Sequence, residues 1–185
     1  RLIQSAKAGS QPSDEALAIG IGNDVVHAMR AGVLYLIGAG TTTRAIMRLL
    51  DLPCTLLGVD AVRDRRLVGS DLTEQQALEL VEKAVANGPG AHIVVSVIGG
   101  QGHIFGRGNQ QLSPRVIRAV GPNNITVVGT QPKLLSLDGA PLRLDTGDRL
   151  DQGRHRAWTE DHAPGRIERP RSVVGGGRPA LLLEL

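Results

Sequence analysis

The chain has 185 residues, a formal net charge of +3, 24 glycines and three aromatic side chains. This length suits one domain with a tail, and so few aromatic rings argue against a large all-β fold and against nucleic-acid recognition by base stacking. Its single cysteine excludes an internal disulfide, and its apolar runs are too short to span a bilayer, so we expect a cytoplasmic protein that binds neither membrane nor nucleic acid.

The first half of the chain predicts helices that alternate with strands. A Ser-Asp-Glu start predicts a helix over 13–31, and the solid apolar run 33–37 predicts a buried strand. A helix over 44–50 and a second strand over 55–59 follow. Residues 64–72 carry no comparable pattern and are expected to form a loop.

The second half continues the alternation. A threonine with a glutamine three residues later forms a capping box for a helix over 73–86, and an apolar strand is predicted over 92–98. A Ser-Pro start opens a helix over 113–120, and the apolar run 125–129 follows it as a strand. Two further elements are expected after these, a short helix over 131–137 and an edge strand over 142–145.

This order of elements predicts an α/β fold. Because helices separate the strands and no tight hairpin is indicated, we expect a doubly wound, Rossmann-like, mostly parallel sheet with helices on both faces. Residues 1–150 carry the pattern and are interpreted as one α/β nucleotide- or phosphate-binding domain. Residues 151–185 mix Arg, Pro, Gly and acidic residues without periodicity, and are expected to form a poorly ordered or non-native tail.

The first candidate site is the glycine-rich turn that follows the strand at 33–37. Glycine lets a backbone approach a ligand closely, and the helix that begins here offers N–H groups that suit phosphate. Ligands of doubly wound sheets bind beyond the carboxyl ends of the strands. Phosphate binding is therefore favoured over the alternative, an ordinary strand-to-helix turn. The candidate ligands are Gly38, Gly40, Thr41, Thr42, Thr43 and Arg44.

The second candidate site is the loop after the strand at 92–98. Five glycines lie within positions 99–108, which indicates a close approach of backbone and ligand; the alternative is a flexible connection. An arginine in the loop can pair with phosphate, and its amide side chains can contact a base or ribose. The candidate ligands are Gly99, Gly100, Gly102, Arg107, Asn109 and Gln110. Both loops follow strand ends of one sheet, so they can face one ligand.

Two further residues are candidates for catalysis. Asp60 ends the predicted strand over 55–59, at about the spacing from Gly38 at which Rossmann folds place an acid on a ribose hydroxyl. The alternative for Asp60 is a loop cap. His103 lies in the second glycine-rich loop. The histidines are not at metal-ligand spacing, so no metal site is predicted.

Several of these stretches resemble one known family. The runs 36–46 and 105–114 carry most of the resemblance, and 4–11, 56–60 and 98–102 add to it. They are similar to the carboxyl-terminal half of the ATP-NAD kinase-like family, described as polyphosphate- or ATP-dependent NAD kinases related to the acetoin-catabolism protein X. The resemblance covers about residues 4–150. It implies phosphoryl transfer from ATP or polyphosphate to the 2′-hydroxyl of NAD, with Mg²⁺.

The chain also departs from this family. The Gly-Gly-Asp-Gly-Thr motif of the family's amino-terminal domain, whose aspartate is thought to be catalytic, does not occur in the 185 residues. We therefore expect this chain alone to bind a small nucleotide or phosphate ligand without turnover.

Two other functions stay open. One is a sugar-phosphate isomerase or deaminase-like enzyme, which would need Asp60, His103 or Asp145 as its general base; the turn 38–43 weakly resembles the phosphate loop of sugar-phosphate isomerases. The other is a non-catalytic ligand-binding or oligomerisation module, and a homo-oligomer is left open as a partner.

Overall fold

The structure is a computed structural model that describes residues 13–97, 103–106, 108–130, 132–133, 143–144 and 181–184. Its helices are α1 (Asp14–Ala28), α2 (Thr41–Leu49), α3 (Glu74–Asn87) and α4 (Pro114–Val120), with a 3₁₀ turn over Pro122–Asn124. Its strands are β1 (Leu34–Ile37), β2 (Asp60–Arg63), β3 (Arg66–Gly69), β4 (Ala91–Ser96), β5 (His103–Phe105), β6 (Ile125–Gly129), β7 (Arg143–Leu144) and β8 (Leu181–Glu184).

Six of these strands form one mixed sheet, in the order β3-β2-β1-β4-β6-β8. The central strands β1, β4 and β6 are parallel to one another. Strand β2 is antiparallel to β1, β3 is antiparallel to β2, and β8 is antiparallel to β6. The expected α/β fold is confirmed, and its parallel centre brings the carboxyl ends of β1, β4 and β6 to one edge.

Helices cover both faces of the sheet, as expected. Successive residues of a strand point to opposite faces, and β1 shows the result. Leu34 and Leu36 join an apolar cluster with residues of α3 and α4, whereas Tyr35 and Ile37 join a second cluster with residues of α1 and α2. All four residues of β1 are buried, which explains why its sequence is a solid apolar run.

The three helix starts that the sequence marks with a capping side chain, at Ser13, Thr73 and Ser113, are confirmed. The Ser13 hydroxyl accepts a hydrogen bond from the Ala16 N–H at 3.2 Å. Thr73 and Gln76 form the predicted capping box of α3. At α4, the side chain of Ser113 accepts from a backbone N–H of the first turn, and proline follows it. These local rules need only nearby residues, so tertiary contacts do not override them.

The predicted strand over 55–59 is wrong. Leu56 and Leu57 are 65% and 72% exposed in a loop. The strand instead begins at Asp60, which pairs with Ile37 in an antiparallel register. Adjacent apolar residues in the loop resemble a buried strand in the sequence, but the residues that continue the sheet lie after them.

The predicted loop over 64–72 is also wrong, because it contains β3 and the turn of a β-hairpin. Asp64 and Arg65 form the two-residue turn between β2 and β3, with φ of 51° and 61°. Two successive positive φ values are those of a type I′ turn, which usually has Asn, Asp or Gly first and Gly second. The Asp64 carboxylate accepts a hydrogen bond from the Gly32 N–H at 2.6 Å, which helps to hold this conformation.

Smaller differences concern element ends. Helix α1 ends at Ala28, before the predicted end at residue 31, and α2 begins at Thr41, before the predicted start at residue 44. Strand β5 lies inside the segment predicted as a loop, because Ile104 and Phe105 are buried in the core.

The end of the chain is described only in short pieces. The predicted edge strand appears as β7, which pairs with β5 in a separate two-stranded sheet. The predicted helix over 131–137 falls mostly outside the described residues, as does the expected tail, although β8 adds a strand to the sheet. Within the described part, no helix has the length and apolar character to cross a membrane.

Candidate functional site

The glycine-rich turn lies where β1 ends and α2 begins, at the carboxyl edge of the parallel strands. The Gly38 N–H donates to the Val94 carbonyl at 2.9 Å, which fixes the turn against β4. Gly40 is the N-cap of α2, and no side chain among the described residues caps this helix. The first N–H groups of a helix have no acceptor within the helix, and the first turn of α2 contains no acidic residue. Within the described part of the chain these N–H groups therefore have no side-chain acceptor, and this end of α2 carries the positive end of the helix dipole.

Protein atoms press closely on the two glycines of this turn. Gly40 has φ of 145°, and a Cβ there would overlap the Ser96 hydroxyl and lie 3.3 Å from the Thr43 hydroxyl. A Cβ on Gly38 would lie 2.9 Å from Asn109 Oδ1. Internal packing therefore accounts for glycine at both positions, without the close ligand approach that the sequence suggested.

The threonines of the turn have different environments. Thr42 and Thr43 are buried, whereas Thr41 is exposed, as is the neighbouring Arg44. The Thr43 hydroxyl donates to the Gly40 carbonyl at 3.1 Å. Lys133, which the sequence did not indicate, donates from Nζ to the Thr41 hydroxyl at 2.8 Å and to the Thr42 hydroxyl at 3.3 Å. An ammonium group thus lies at the first turn of α2.

The position of Lys133 has an electrostatic consequence. Burial lowers the pKa of the Lys133 ammonium, and the carboxylate of Asp14 only partly offsets this effect. A cation at a helix N-terminus is also opposed by the helix dipole. An anion bound here would stabilise both the Lys133 ammonium and the positive end of the α2 dipole, so the arrangement suits a negatively charged ligand.

The two glycine-rich loops are joined by Asn109. Asn109 is 1% exposed; its Oδ1 accepts from the Ala39 N–H at 2.9 Å, and its Nδ2 donates to the Ile104 carbonyl at 3.3 Å. Both ends of this amide are therefore engaged inside the protein, and Asn109 holds the loops together. Gln110, beside it, is exposed.

Part of the second loop cannot be placed in this geometry. His103 begins β5, and only its backbone is described. The other candidates that lie outside the described residues are Gly99, Gly100, Gly102, Arg107 and Asp145.

Asp60 is buried at the start of β2 rather than at the end of a strand. Its carboxylate accepts from the N–H and hydroxyl of Thr55, from the Ser70 hydroxyl at 3.0 Å and from the Asp71 N–H at 3.0 Å. Burial acts to raise the pKa of Asp60, but these hydrogen bonds outweigh it and hold the pKa below its usual value. The carboxylate thus has the geometry of the loop cap that was the alternative to a ribose contact.

Two more polar residues at this edge were missed by the sequence reasoning. Ser96, at the end of β4, is 3% exposed and donates to the Ala39 carbonyl at 3.4 Å. Thr130 follows β6, and its buried hydroxyl has no hydrogen-bond partner among the described residues. Thr130 directly follows an apolar strand, which is the sequence pattern that could have identified it, whereas Ser96 lies inside the apolar run 92–98 and carries no such signal. The described residues contain no group of three or more His, Cys, Asp or Glu side chains that could hold a metal ion.

The fold and the turn together define a doubly wound α/β domain with a glycine-capped helix at the carboxyl edge of its parallel strands. The family model of the ATP-NAD kinase C-terminal domain matches residues 30–150, more than half of the chain. The chain therefore belongs to the ATP-NAD kinase family, which confirms the resemblance, and it corresponds to the C-terminal domain. No curated protein and no solved structure matches the chain.

Proposed function

We propose that this chain is the C-terminal part of an NAD kinase-like phosphotransferase. Its turn 38–43 would bind the phosphate groups of a nucleotide or of polyphosphate. The reaction would move a phosphoryl group from ATP or polyphosphate to the 2′-hydroxyl of NAD. The observation that carries the proposal is the Lys133 ammonium on the Thr41 and Thr42 hydroxyls, at the uncapped first turn of α2.

These groups match what a phosphate needs. The exposed Thr41 hydroxyl, the first-turn N–H groups and Lys133 are donors, and each can direct a hydrogen bond to a phosphate oxygen. The phosphate charge would offset the cation that the helix dipole opposes. Phosphoryl transfer depends mainly on positioning and on stabilising negative charge, and a fixed set of donors supplies both.

The structure also bears on two other proposed roles, Asp60 as a general base and protein ligands for Mg²⁺. The Asp60 carboxylate, which an isomerase would need as its base, is occupied by four hydrogen bonds from the protein. The family resemblance implies Mg²⁺, which supplies charge neutralisation to phosphates when it is bound. Because the described residues lack a suitable ligand cluster, we assign Mg²⁺ no protein ligand and no step.

Thermal unfolding of the 185-residue chain tests this function. A ligand that binds only the native state stabilises it by about 2.7 kcal/mol at 100 times its Kd. ATP or tripolyphosphate is expected to raise the Tm of the wild type and of the control Lys83→Gln, whose lysine is exposed on α3. Lys133→Gln is expected to lose most of the increase.

Activity assays on the same chain separate the alternatives. We expect no NADP formation from ATP and NAD by this chain alone, since it lacks the Gly-Gly-Asp-Gly-Thr motif. Turnover of ribose or glucosamine phosphate would instead favour the isomerase or deaminase function. The absence of any Tm increase with ATP, NAD or tripolyphosphate would contradict the proposal and leave a non-catalytic module.

A further inference from the structure

A cavity lies away from the turn 38–43, near the amino ends of the parallel strands. Its volume is about 400 Å³, at the small end of the range of about 300–1,000 Å³ that is usual for small-molecule sites. It opens between the end of α1 and the 3₁₀ turn Pro122–Asn124, and Val25 and Val94 line it with apolar surface. Such a cavity suits a ligand about the size of a single ring.

Two aromatic rings form part of its wall. The rings of Tyr35 and His92 have centroids 5.5 Å apart and an interplanar angle of 44°. His92 Nε2 lies 2.7 Å from the Thr126 hydroxyl in a hydrogen bond, and the Tyr35 hydroxyl accepts from the Arg30 N–H at 3.0 Å. These hydrogen bonds hold both rings in place, so they form a preformed apolar surface with polar edges.

The rim of the cavity supplies unused polar groups. Arg30 and Asn123 line the cavity as exposed residues, and neither side chain makes a hydrogen bond or ion pair in the described structure. Beside Asn123, the side chain of Asn124 donates from Nδ2 to the Val120 carbonyl at 2.9 Å, which fixes the orientation of the Asn124 amide. A guanidinium is planar and can bind a carboxylate through two parallel hydrogen bonds.

The charges around the cavity favour an anion with a single charge. An adjoining cavity of about 260 Å³ shares Arg30 and Tyr35 and is also lined by Arg65 and Asp64, so the surroundings hold two arginines and one carboxylate. Ala28, the last residue of α1, also lines the larger cavity. The carboxyl end of a helix carries partial negative charge, which opposes any anion and opposes a dianion such as phosphate more strongly than a monoanion.

We propose that this cavity binds a small flat monoanion, a carboxylate on a planar ring. The ring would lie against Tyr35 and His92, and the carboxylate would accept hydrogen bonds from Arg30 and Asn123. Because the cavity is at the other end of the strands from the turn 38–43, this site is independent of the phosphate site proposed above.

NMR titration of the full isotope-labelled chain tests this site, with benzoate as the probe. We expect saturable shifts of the Asn123 and Asn124 side-chain amides and of the Tyr35 and His92 rings. Benzamide, which has the same shape without the charge, should bind more weakly. Arg30→Gln should weaken benzoate binding by about tenfold, the loss typical of one hydrogen bond to a charged group.

Controls keep the outcome interpretable. Arg115→Gln changes an arginine of α4, on the opposite face of the sheet, and should leave benzoate affinity unchanged. Arg30→Gln keeps the backbone N–H that Tyr35 accepts, so its fold should be preserved. Asn123→Ala is a second variant and should also weaken binding.

Three results would overturn the proposal. These are no shift of the cavity residues at millimolar benzoate, unchanged affinity in both variants, or tighter binding of phenyl phosphate than of benzoate in this cavity. Inorganic phosphate that shifts only residues 38–43 would support the phosphate site alone, so the two sites can fail separately.

Discussion

Replacing Gly40 by alanine tests how the turn between β1 and α2 is held. Gly40 has φ of 145° and ψ of 158°, a region that is essentially restricted to glycine. Holding another residue there costs about 1–3 kcal/mol. The new Cβ would also overlap the Ser96 hydroxyl and lie 3.3 Å from Ser96 Cβ, and overpacking of a well-packed site costs about 1–3 kcal/mol. We expect Gly40→Ala to lower the free energy of unfolding by about 3 kcal/mol in total.

Urea denaturation of four variants separates these contributions. Adding Ser96→Ala to Gly40→Ala removes the hydroxyl and should recover about half of the loss, because the φ penalty remains. Ser96→Ala alone removes only a long hydrogen bond of 3.4 Å. Gly20→Ala is the matched control, since Gly20 lies in α1 with no atom within 4 Å of its new Cβ; it should stabilise the protein by about 1 kcal/mol.

Two comparisons of urea midpoints decide the outcome: Gly40→Ala against wild type, and the double variant against Gly40→Ala. If Gly40→Ala unfolds at the wild-type urea midpoint, the described conformation of the turn is refuted. If Ser96→Ala recovers none of the lost stability, the contact between Gly40 and Ser96 is not the cause.

Three further predictions concern residues that hold the site and the hairpin. Asn109→Ala leaves the Ala39 N–H and the Ile104 carbonyl without their partner, and should cost about 1–3 kcal/mol per unsatisfied group in urea denaturation. The pKa of Asp60 is lower in the folded chain than in the unfolded chain, so its carboxylate stabilises the fold above about pH 4 and this effect is lost as the pH falls further. Urea midpoints measured from neutral to acidic pH should therefore drop more steeply for wild type than for Asp60→Asn. Arg65→Gly should raise the urea midpoint, or at least not lower it, because relief of a positive φ is worth about 1–2 kcal/mol; a clear loss of stability would contradict the described hairpin turn.

The sequence predicted the elements whose signals are local. The capping box of Thr73 and Gln76 needs only four residues, and the strand over 125–129 is a mostly β-branched run, so both were found. The hairpin was missed because Arg65 occupies the second position of the type I′ turn, where glycine is usual. Their conformation depends partly on the hydrogen bond from Gly32, which is 32 residues away along the chain.

The candidate site shows the same division. The turn 38–43 was found because its glycines and threonines directly follow a buried strand. Lys133 was missed because it lies 92 residues after Thr41, and only the parallel arrangement of the strands brings them together. The sequence indicated that the Asn109 side chain has a polar partner but not which one. Its amide can hydrogen-bond a ligand or the neighbouring loop, and in the structure it bonds the loop at Ala39.

The most direct test of the phosphate site is to follow the backbone amide signals of Thr41, Thr42 and Thr43 during a titration with inorganic phosphate. We predict that these three amides show the largest shifts, that the shifts saturate, and that Lys133→Gln greatly reduces them. Unchanged amide signals at these positions, or shifts that persist fully in Lys133→Gln, would contradict this prediction.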